Sequence, residues 1–469
     1  MRVLIVSILI SNTLFAGADR SSSATDTWRL SVSPDGRRLQ KADGADWFWL
    51  ADTAWSLFIR LDRDQVDTYL QTRARQGFTV IQCVMVMGYN HSWNAPNAYG
   101  HRPFIDGNPT RPDTRSTPNF WTHADYIIDK AKDLDLYVAL LPAWGSWWKN
   151  KFNNHQAETY ATWIGNRYKN RENIIWVNGG DVDATKHTSK FNCVGNAIHT
   201  TCPNQLQTYH PRGGRSSSIL FHNQAWLDFN MFQSGHGRRD NRNDAKVDED
   251  WGKSPCKPTL DGETCYEKHP IAWKYSNPSF TDHDVRQAAY WSVFAGAAGL
   301  TYGHVNVWIF NDPADKPEET FDVVMDHRLK WQTEIDSTGA NDMIHLMNLM
   351  MSRPHKGRQP DQGLLADPLR GPKRLRATRG HGYVFVYTTQ GDNMQVNLGK
   401  IPWDNKKCWW YDPRTGKASF IKTTASGAGE TFDPPAPVRR GNDFVLVIDD
   451  ADKGWDAPGA GTPGVGPSR

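Results

Sequence analysis

The sequence predicts a (β/α)8 TIM barrel followed by a C-terminal antiparallel β-sandwich, on three observations. From about residue 46 onward, short apolar runs alternate with amphipathic stretches, the texture of repeated βα units. Eight such runs can be counted, and nearly every one ends in polar or aromatic residues that a barrel would gather on one rim. Beyond residue 376 the pattern changes to short alternating strands separated by turn residues, with no helix of useful length, as in a small sandwich.

The eight barrel strands are predicted at 47–51, 78–87, 137–141, 174–178, 218–222, 229–233, 259–261 and 299–302. Helical periodicity follows the first at 63–75, the second at 121–133 and the third at 156–168, and precedes the eighth at 282–294. Sandwich strands are predicted at 383–388, 394–397, 408–411, 419–422 and 444–448. The expected organisation is a signal peptide over 1–18, a barrel domain over 27–352, a Gly/Pro/Arg/Lys-rich linker over 353–376, a sandwich over 377–450 and a disordered Gly/Pro-rich tail over 451–469.

A chain of 469 residues accommodates one large domain and a smaller one. Its 54 basic and 51 acidic residues form no basic stripe, which makes nucleic acid a poor partner. The 21 Trp, 15 Tyr and 19 Phe include more flat apolar surface than most chains carry, suited in part to sugar rings, although the larger share is expected in the core. Met1-Arg2, an apolar run over 3–15 and Ala16-Gly17-Ala18 read as a secretory signal, so the mature chain is expected to begin near Asp19 outside the cytosol. No later stretch is long enough to span a membrane. The expected partner is a polysaccharide or oligosaccharide, acted on by a monomer.

Six cysteines fit that compartment. Cys193 and Cys202, and Cys256 and Cys265, are each nine apart, and both spacings allow local disulfides that would staple loops near the rim. Cys83 and Cys408 read as buried free thiols. No CxxC pair, His-x-His after the first strand, GxSxG, HExxH or phosphate-cradling glycine loop occurs, and no metal or cofactor is expected.

Two carboxylates stand just past predicted strands: Asp181 after Ile174-Ile175-Trp176-Val177-Asn178-Gly179-Gly180, and Glu263 after Thr259-Leu260-Asp261-Gly262. Facing carboxylates are the minimum equipment for cleaving a glycosidic bond, and Gly179-Gly180 would let the backbone turn to present Asp181. Around them the strand ends offer Asp52, Trp55, Tyr89, Asn90, Trp144, Asn178, His222, Gln233, His236, Tyr302 and His304 as sugar-binding candidates. Asn90 also belongs to the single Asn-x-Ser/Thr match, Asn90-His91-Ser92, and its rim position is read as substrate contact. Glu263 is expected to be kept ionised by donors such as His304 or Tyr302, and Asp181 protonated by Trp176 and the opposing Glu263. Asp183 and Glu267 are the nearest competing acids.

Trp49-Leu50-Ala51-Asp52-Thr53-Ala54-Trp55, Trp176-Val177-Asn178-Gly179-Gly180-Asp181, Gln233-Ser234-Gly235-His236, Asp261-Gly262-Glu263 with Tyr266-Glu267, and Tyr302-Gly303-His304 resemble the apiosidase-like glycoside hydrolases. The resemblance runs from about Trp47 to Asp449. Its C-terminal part, with Trp410-Tyr411-Asp412-Pro413-Arg414-Thr415-Gly416 and Phe432-Asp433-Pro434-Pro435, is similar to the collagen-binding-type sandwich of that family. The resemblance implies Asp181 as general acid/base, Glu263 as nucleophile, and release of the branched pentose apiose from the pectic polysaccharide rhamnogalacturonan-II. The segment 185–217 and the Cys256/Cys265 bracket fall outside the family pattern. The rival reading is a secreted binder of polysaccharide or collagen that has lost catalysis; the paired acids favour the enzyme.

Overall fold

The computed structural model describes residues 28–87, 93–315, 326–425 and 427–460. Eight parallel strands form the barrel: β1 (Trp49–Thr53), β2 (Val80–Val86), β3 (Tyr137–Ala143), β4 (Ile174–Val182), β5 (Gln207–Pro211), β6 (Asn230–Gln233), β7 (Thr259–Glu263) and β8 (Gly299–Tyr302). Ladder pairing runs 5-4-3-2-1-8-7-6. Across the remaining seam, β5 meets β6 through the Thr208 hydroxyl, which donates to the Phe229 carbonyl at 2.6 Å, and through the Asp228 amide, which donates to the Gln207 carbonyl at 2.9 Å. Residues of β1, β2 and β3 are buried on both faces, inside the barrel and beneath the helices, so these strands read as nearly unbroken apolar runs.

The helices between the strands are α1 (Leu57–Arg60), α2 (Arg63–Arg75), α3 (Phe120–Asp133), α4 (Gly145–Lys151), α5 (Asn154–Tyr168), α6 (Thr188–Thr201), α7 (Ser218–Phe221), α8 (Asn243–Trp251) and α9 (Asp282–Phe294), with α10 (Trp331–Glu334) and α11 (Thr338–Met351) after β8. Four of the longest start at capping boxes: Asp62 with Gln65, Asn119 with Thr122, Asn153 with Gln156, and Thr281 with Asp284. Each side chain satisfies an amide that the first turn leaves open, a contribution of about 1 kcal/mol per cap. A hairpin, Leu30–Val32 with Leu39–Lys41, packs at the N-terminal end of the strands, where Lys41 donates to the Tyr137 hydroxyl at 2.6 Å.

The C-terminal part contains β9 (Gln359–Pro360), β10 (Arg376–Gly380), β11 (Tyr383–Thr388), β12 (Met394–Asn397), β13 (Asn405–Asp412), β14 (Lys417–Ala425), β15 (Gly429–Phe432) and β16 (Phe444–Asp450). One antiparallel sheet has the order 9-10-11-16-13-14, and β12 pairs with β15 in a second. Alternation divides the large sheet. Val384, Val386, Leu446 and Ile448 form a core with Met394, Val396 and Phe432 of the small sheet, whereas Tyr383, Phe385, Tyr387, Val445 and Val447 pack with α9 and α11 of the barrel. Trp410 is buried in the sandwich core, Trp403 packs on its edge, and Trp409 packs toward the barrel side.

Five expectations need correction. The fifth strand is 207–211, inside the segment that fell outside the family pattern; residues 218–221 form the single helical turn α7. Cys193 and Cys202 lie along and at the end of one helix, so their Cα atoms are about 13 Å apart at 1.5 Å per residue, beyond any disulfide. Cys256 and Cys265 are held on opposite ends of β7, whose five residues alone extend about 16 Å. The segment expected as a linker is ordered, with Leu364, Leu365 and Leu375 in the sandwich core, and the tail continues past Trp455, which the guanidinium of Arg353 covers at 5.0 Å.

Candidate active site

The C-terminal ends of the strands open into a cavity of about 850 Å³ whose walls include Asp181, Glu263, Trp144, Trp273 and Trp308. Asp181 arrives there because β4 breaks its register with β5 between Gly179 and Val182. Gly179 and Gly180 have φ of +85° and +115°, and a Cβ on Gly180 would lie 2.7 Å from the Gly145 amide nitrogen. Only glycine passes through this gap, and the turn it allows puts Asp181 itself at φ +49° with its carboxylate toward the cavity.

Glu263 closes β7 and is almost fully buried. Gln233 at the end of β6 donates to its Oε2 at 2.8 Å, and Nε2 of His210 on β5 lies 3.2 Å from the same oxygen. On Oε1, Nε2 of His236 lies at 3.2 Å and the Tyr266 hydroxyl donates at 2.5 Å. Trp55 donates in turn to the Tyr266 hydroxyl at 3.0 Å, and Gln82 on β2 reaches across the barrel to the Gly262 carbonyl at 2.8 Å. Two backbone amides set the imidazole tautomers: Asp181 N–H donates to Nδ1 of His210 at 3.4 Å, and Tyr266 N–H to Nδ1 of His236 at 3.3 Å. With Nδ1 accepting, each neutral ring carries its proton on Nε2, toward Glu263.

This environment separates the two acids. Burial works against a charge on Glu263, but His210 and His236 outweigh it and hold the carboxyl well below its usual range. Asp181 is pushed up to about 6, first by enclosure within the cavity walls and then by the Glu263 charge, with His210 and the Gly213 amide pulling the other way. The arrangement supplies an ionised carboxylate beside a carboxylic acid that retains its proton in mildly acidic water, the division of labour glycosidic cleavage requires.

Of the sequence-predicted residues, the structure brings Asp181, Glu263, Trp55, Trp144, Gln233 and His236 to the cavity. Tyr89 and Asn90 lie outside the described residues. The other five do not line it. Asp52 points into the helix layer, where Arg73 meets it at 2.7 Å and the Tyr69 hydroxyl at 2.5 Å. Asn178 bonds Gln207 beneath the site. His222 spans Asn230 and the Pro255 carbonyl. Tyr302 donates to Glu267 at 2.6 Å, and His304 lies 3.4 Å from Glu334, so neither reaches Glu263. Glu267 is buried between Tyr302 and the Gly339 amide, away from the cavity; Asp183 sits on its open wall and bonds Thr185. Sequence reasoning missed His210 and Trp273 and gave Tyr266 and Trp308 no role of their own. His210 had a signal in the alternation Gln207-Thr208-Tyr209-His210 before the turn-forming Pro211-Arg212-Gly213-Gly214.

Fold and site together define a glycoside hydrolase with its catalytic rim at the C-terminal ends of a (β/α)8 barrel. Residues 33–356 match the "Apiosidase-like, catalytic domain" family, and the chain belongs to it. Residues 359–449 match the "Putative collagen-binding domain of a collagenase". Among solved structures, the chain is similar to a glycoside hydrolase family 5 protein from Bacteroides vulgatus, at 34% identity over 92% of this chain and 96% of that one, with a TM-score of 0.86. A second structure, described as a glycoside hydrolase, is also 34% identical, over 90% of this chain and 97% of that one, with a TM-score of 0.84. A comparison with curated proteins returns no match.

Proposed function

We propose that the protein is a secreted, retaining glycoside hydrolase that releases a pentofuranose of the apiose type from a plant cell-wall polysaccharide such as rhamnogalacturonan-II. The observation that carries the reading is Glu263, held ionised by His210, His236, Gln233 and Tyr266 beside an Asp181 whose proton is retained up to about pH 6. Glu263 attacks the anomeric carbon while Asp181 delivers its proton to the departing glycosidic oxygen. The bond to the leaving group breaks and a glycosyl ester forms on Glu263. Asp181, now a carboxylate, takes a proton from the incoming water as that water displaces Glu263, and both acids return to their starting states. The family match supports the apiose-type sugar, and the N-terminal sequence pattern supports export.

The test is a panel of chromogenic pentofuranosides and depolymerised pectin, with wild type and Glu263→Gln in parallel. The first-formed anomer is read by NMR within the first minutes of turnover. Release of a pentofuranose with the anomeric configuration of the substrate supports the reading. An inverted first product would overturn retention, and turnover of other sugars alone would overturn the substrate class.

A further inference from the structure

We propose that Arg440 of the C-terminal sandwich is a positioning residue for the active site, acting through Asp240 to fix the loop that holds His236 against Glu263. The inference rests on the reading of Glu263 as the working carboxylate.

The loop that follows β6 is held in part at His236 itself, where the Ala272 amide donates to its carbonyl at 2.8 Å and its ring packs on Tyr266 and His269 at 4.3 and 4.7 Å. His236 stands between Gly235, at φ +74°, and Gly237, whose missing side chain would face open space. Such a segment has little intrinsic stiffness. Behind it, toward α9, lies a void of about 20 Å³, room for a single water. The loop is also tied at Asp240. Nη1 of Arg440 donates to Oδ1 of Asp240 at 2.9 Å, and Nε2 of Gln287 on α9 donates to the same oxygen at 2.9 Å. Arg440 is itself anchored on α9 by Asp284. Asp240 adopts φ +56°, an unfavourable geometry for a residue with a Cβ, which the surrounding bonds must sustain.

The neighbouring residue carries the constraint inward. Nδ2 of Asn241 donates to the carbonyls of Ser234 and Gly235, both at 3.1 Å, and the Gly235 amide donates to the Glu263 carbonyl at 3.1 Å. These bonds set the backbone immediately before His236, whose Nε2 lies 3.2 Å from Oε1 of Glu263. A continuous path of polar contacts thus runs from the sandwich to the carboxylate. It gives the C-terminal part a role in the reaction without contact with substrate.

The charged and titratable groups facing Glu263 are His210 from β5, His236 from the tied loop, Asp181 from β4 and Tyr266 from beyond β7, with His269 behind His236. Loosening the loop weakens the His236 contact and leaves the others, so Glu263 protonates at higher pH and the acidic limb of kcat/KM moves upward. The experiment measures kcat and KM against pH for the full chain on a chromogenic aryl pentofuranoside. The variants are Asp240→Asn, Arg440→Gln, Arg440→Lys, the Asp240→Asn/Arg440→Gln double variant, and Glu263→Gln. The expected result is a loss of about tenfold in kcat/KM for Asp240→Asn, borne mainly by kcat, with the acidic limb displaced upward. Arg440→Lys should recover part of the loss, and the double variant should be no worse than the more affected single one. An acidic limb and kcat unchanged in Asp240→Asn, with Glu263→Gln inactive, overturns the inference and leaves the site reading standing. Wild-type rates in Glu263→Gln overturn both. Asp240→Asn keeps the Arg440–Asp284 anchor, so it tests the path even if the Arg440 variants fold poorly.

Discussion

Asp181 donates its backbone N–H to Nδ1 of His210, and the opposite nitrogen of that ring lies 3.2 Å from Glu263. One imidazole therefore joins the two acidic residues: the main chain of Asp181 selects the tautomer that faces Glu263. His210→Phe keeps an aromatic ring against Trp55, which it meets edge-on at 5.3 Å, and removes both polar contacts. Its kcat/KM should fall about a hundredfold, the scale of a lost donor to a working charge, and the acidic limb should move upward because Glu263 loses a group that favours its anion. A pH–rate profile checks both.

Asp181 must be protonated to assist the leaving group, and enclosure together with the Glu263 charge carries its pKa to about 6. Activity should accordingly decline on the alkaline side from about pH 6. In Glu263→Gln the neighbouring charge is gone, so Asp181 should titrate lower, although enclosure remains. Carboxyl ¹³C NMR of wild type and variant reads the direction. With Asp181→Ala, aryl substrates with good leaving groups should keep most of their rate, since they need no protonation.

Replacing Glu263 with alanine should abolish turnover, and added azide should restore it as a glycosyl azide of inverted anomeric configuration. A carboxyl separation of about 5–5.5 Å accompanies this double-displacement route. Glu267→Ala is the control. Its carboxylate accepts from Tyr302 and the Gly339 amide, so its loss should lower the melting temperature and leave azide without effect.

Asp52 and Arg73 are both fully buried and paired at 2.7 Å. Asp52→Ala strands the guanidinium and should destabilise the protein by about 3–5 kcal/mol, while KM of the folded fraction stays near wild type. Denaturant unfolding with parallel kinetics separates this from a substrate-binding role, in which KM would rise instead.

The sequence showed the barrel's strand ends more clearly than the direction of its side chains. Asp181 and Glu263 were legible because each stands at the end of a predicted strand, and Gly179-Gly180 marked the turn that presents Asp181. Asp52 misled for a physical reason: β1 is buried on both faces, so alternation carries no mark of which residues face the cavity and which face the helices. Tyr302 and His304 failed similarly, turning to Glu267 and Glu334 in the outer layer. The fifth strand was hidden because Ser218-Ile219-Leu220-Phe221 is apolar enough to pass for a strand, and short apolar runs do not distinguish a buried helical turn from β structure. His210 was lost with it. The capping boxes, by contrast, are local in sequence and local in physics, and α2 and α9 lie where their periodicity placed them.

The shared packing of Phe385, Tyr387 and Val447 with α9 and α11 has a thermodynamic consequence. Two family segments meet end to end in this chain, each with a core of its own, yet a third apolar cluster is built from both, and Arg286 of α9 is salt-bridged to Asp443 across the same boundary. Heat should therefore melt the protein in one transition, with calorimetric and van 't Hoff enthalpies in agreement. What is joined as two modules denatures as a single cooperative unit, and a chain cut between them should lose solubility before it loses any one contact of the catalytic rim.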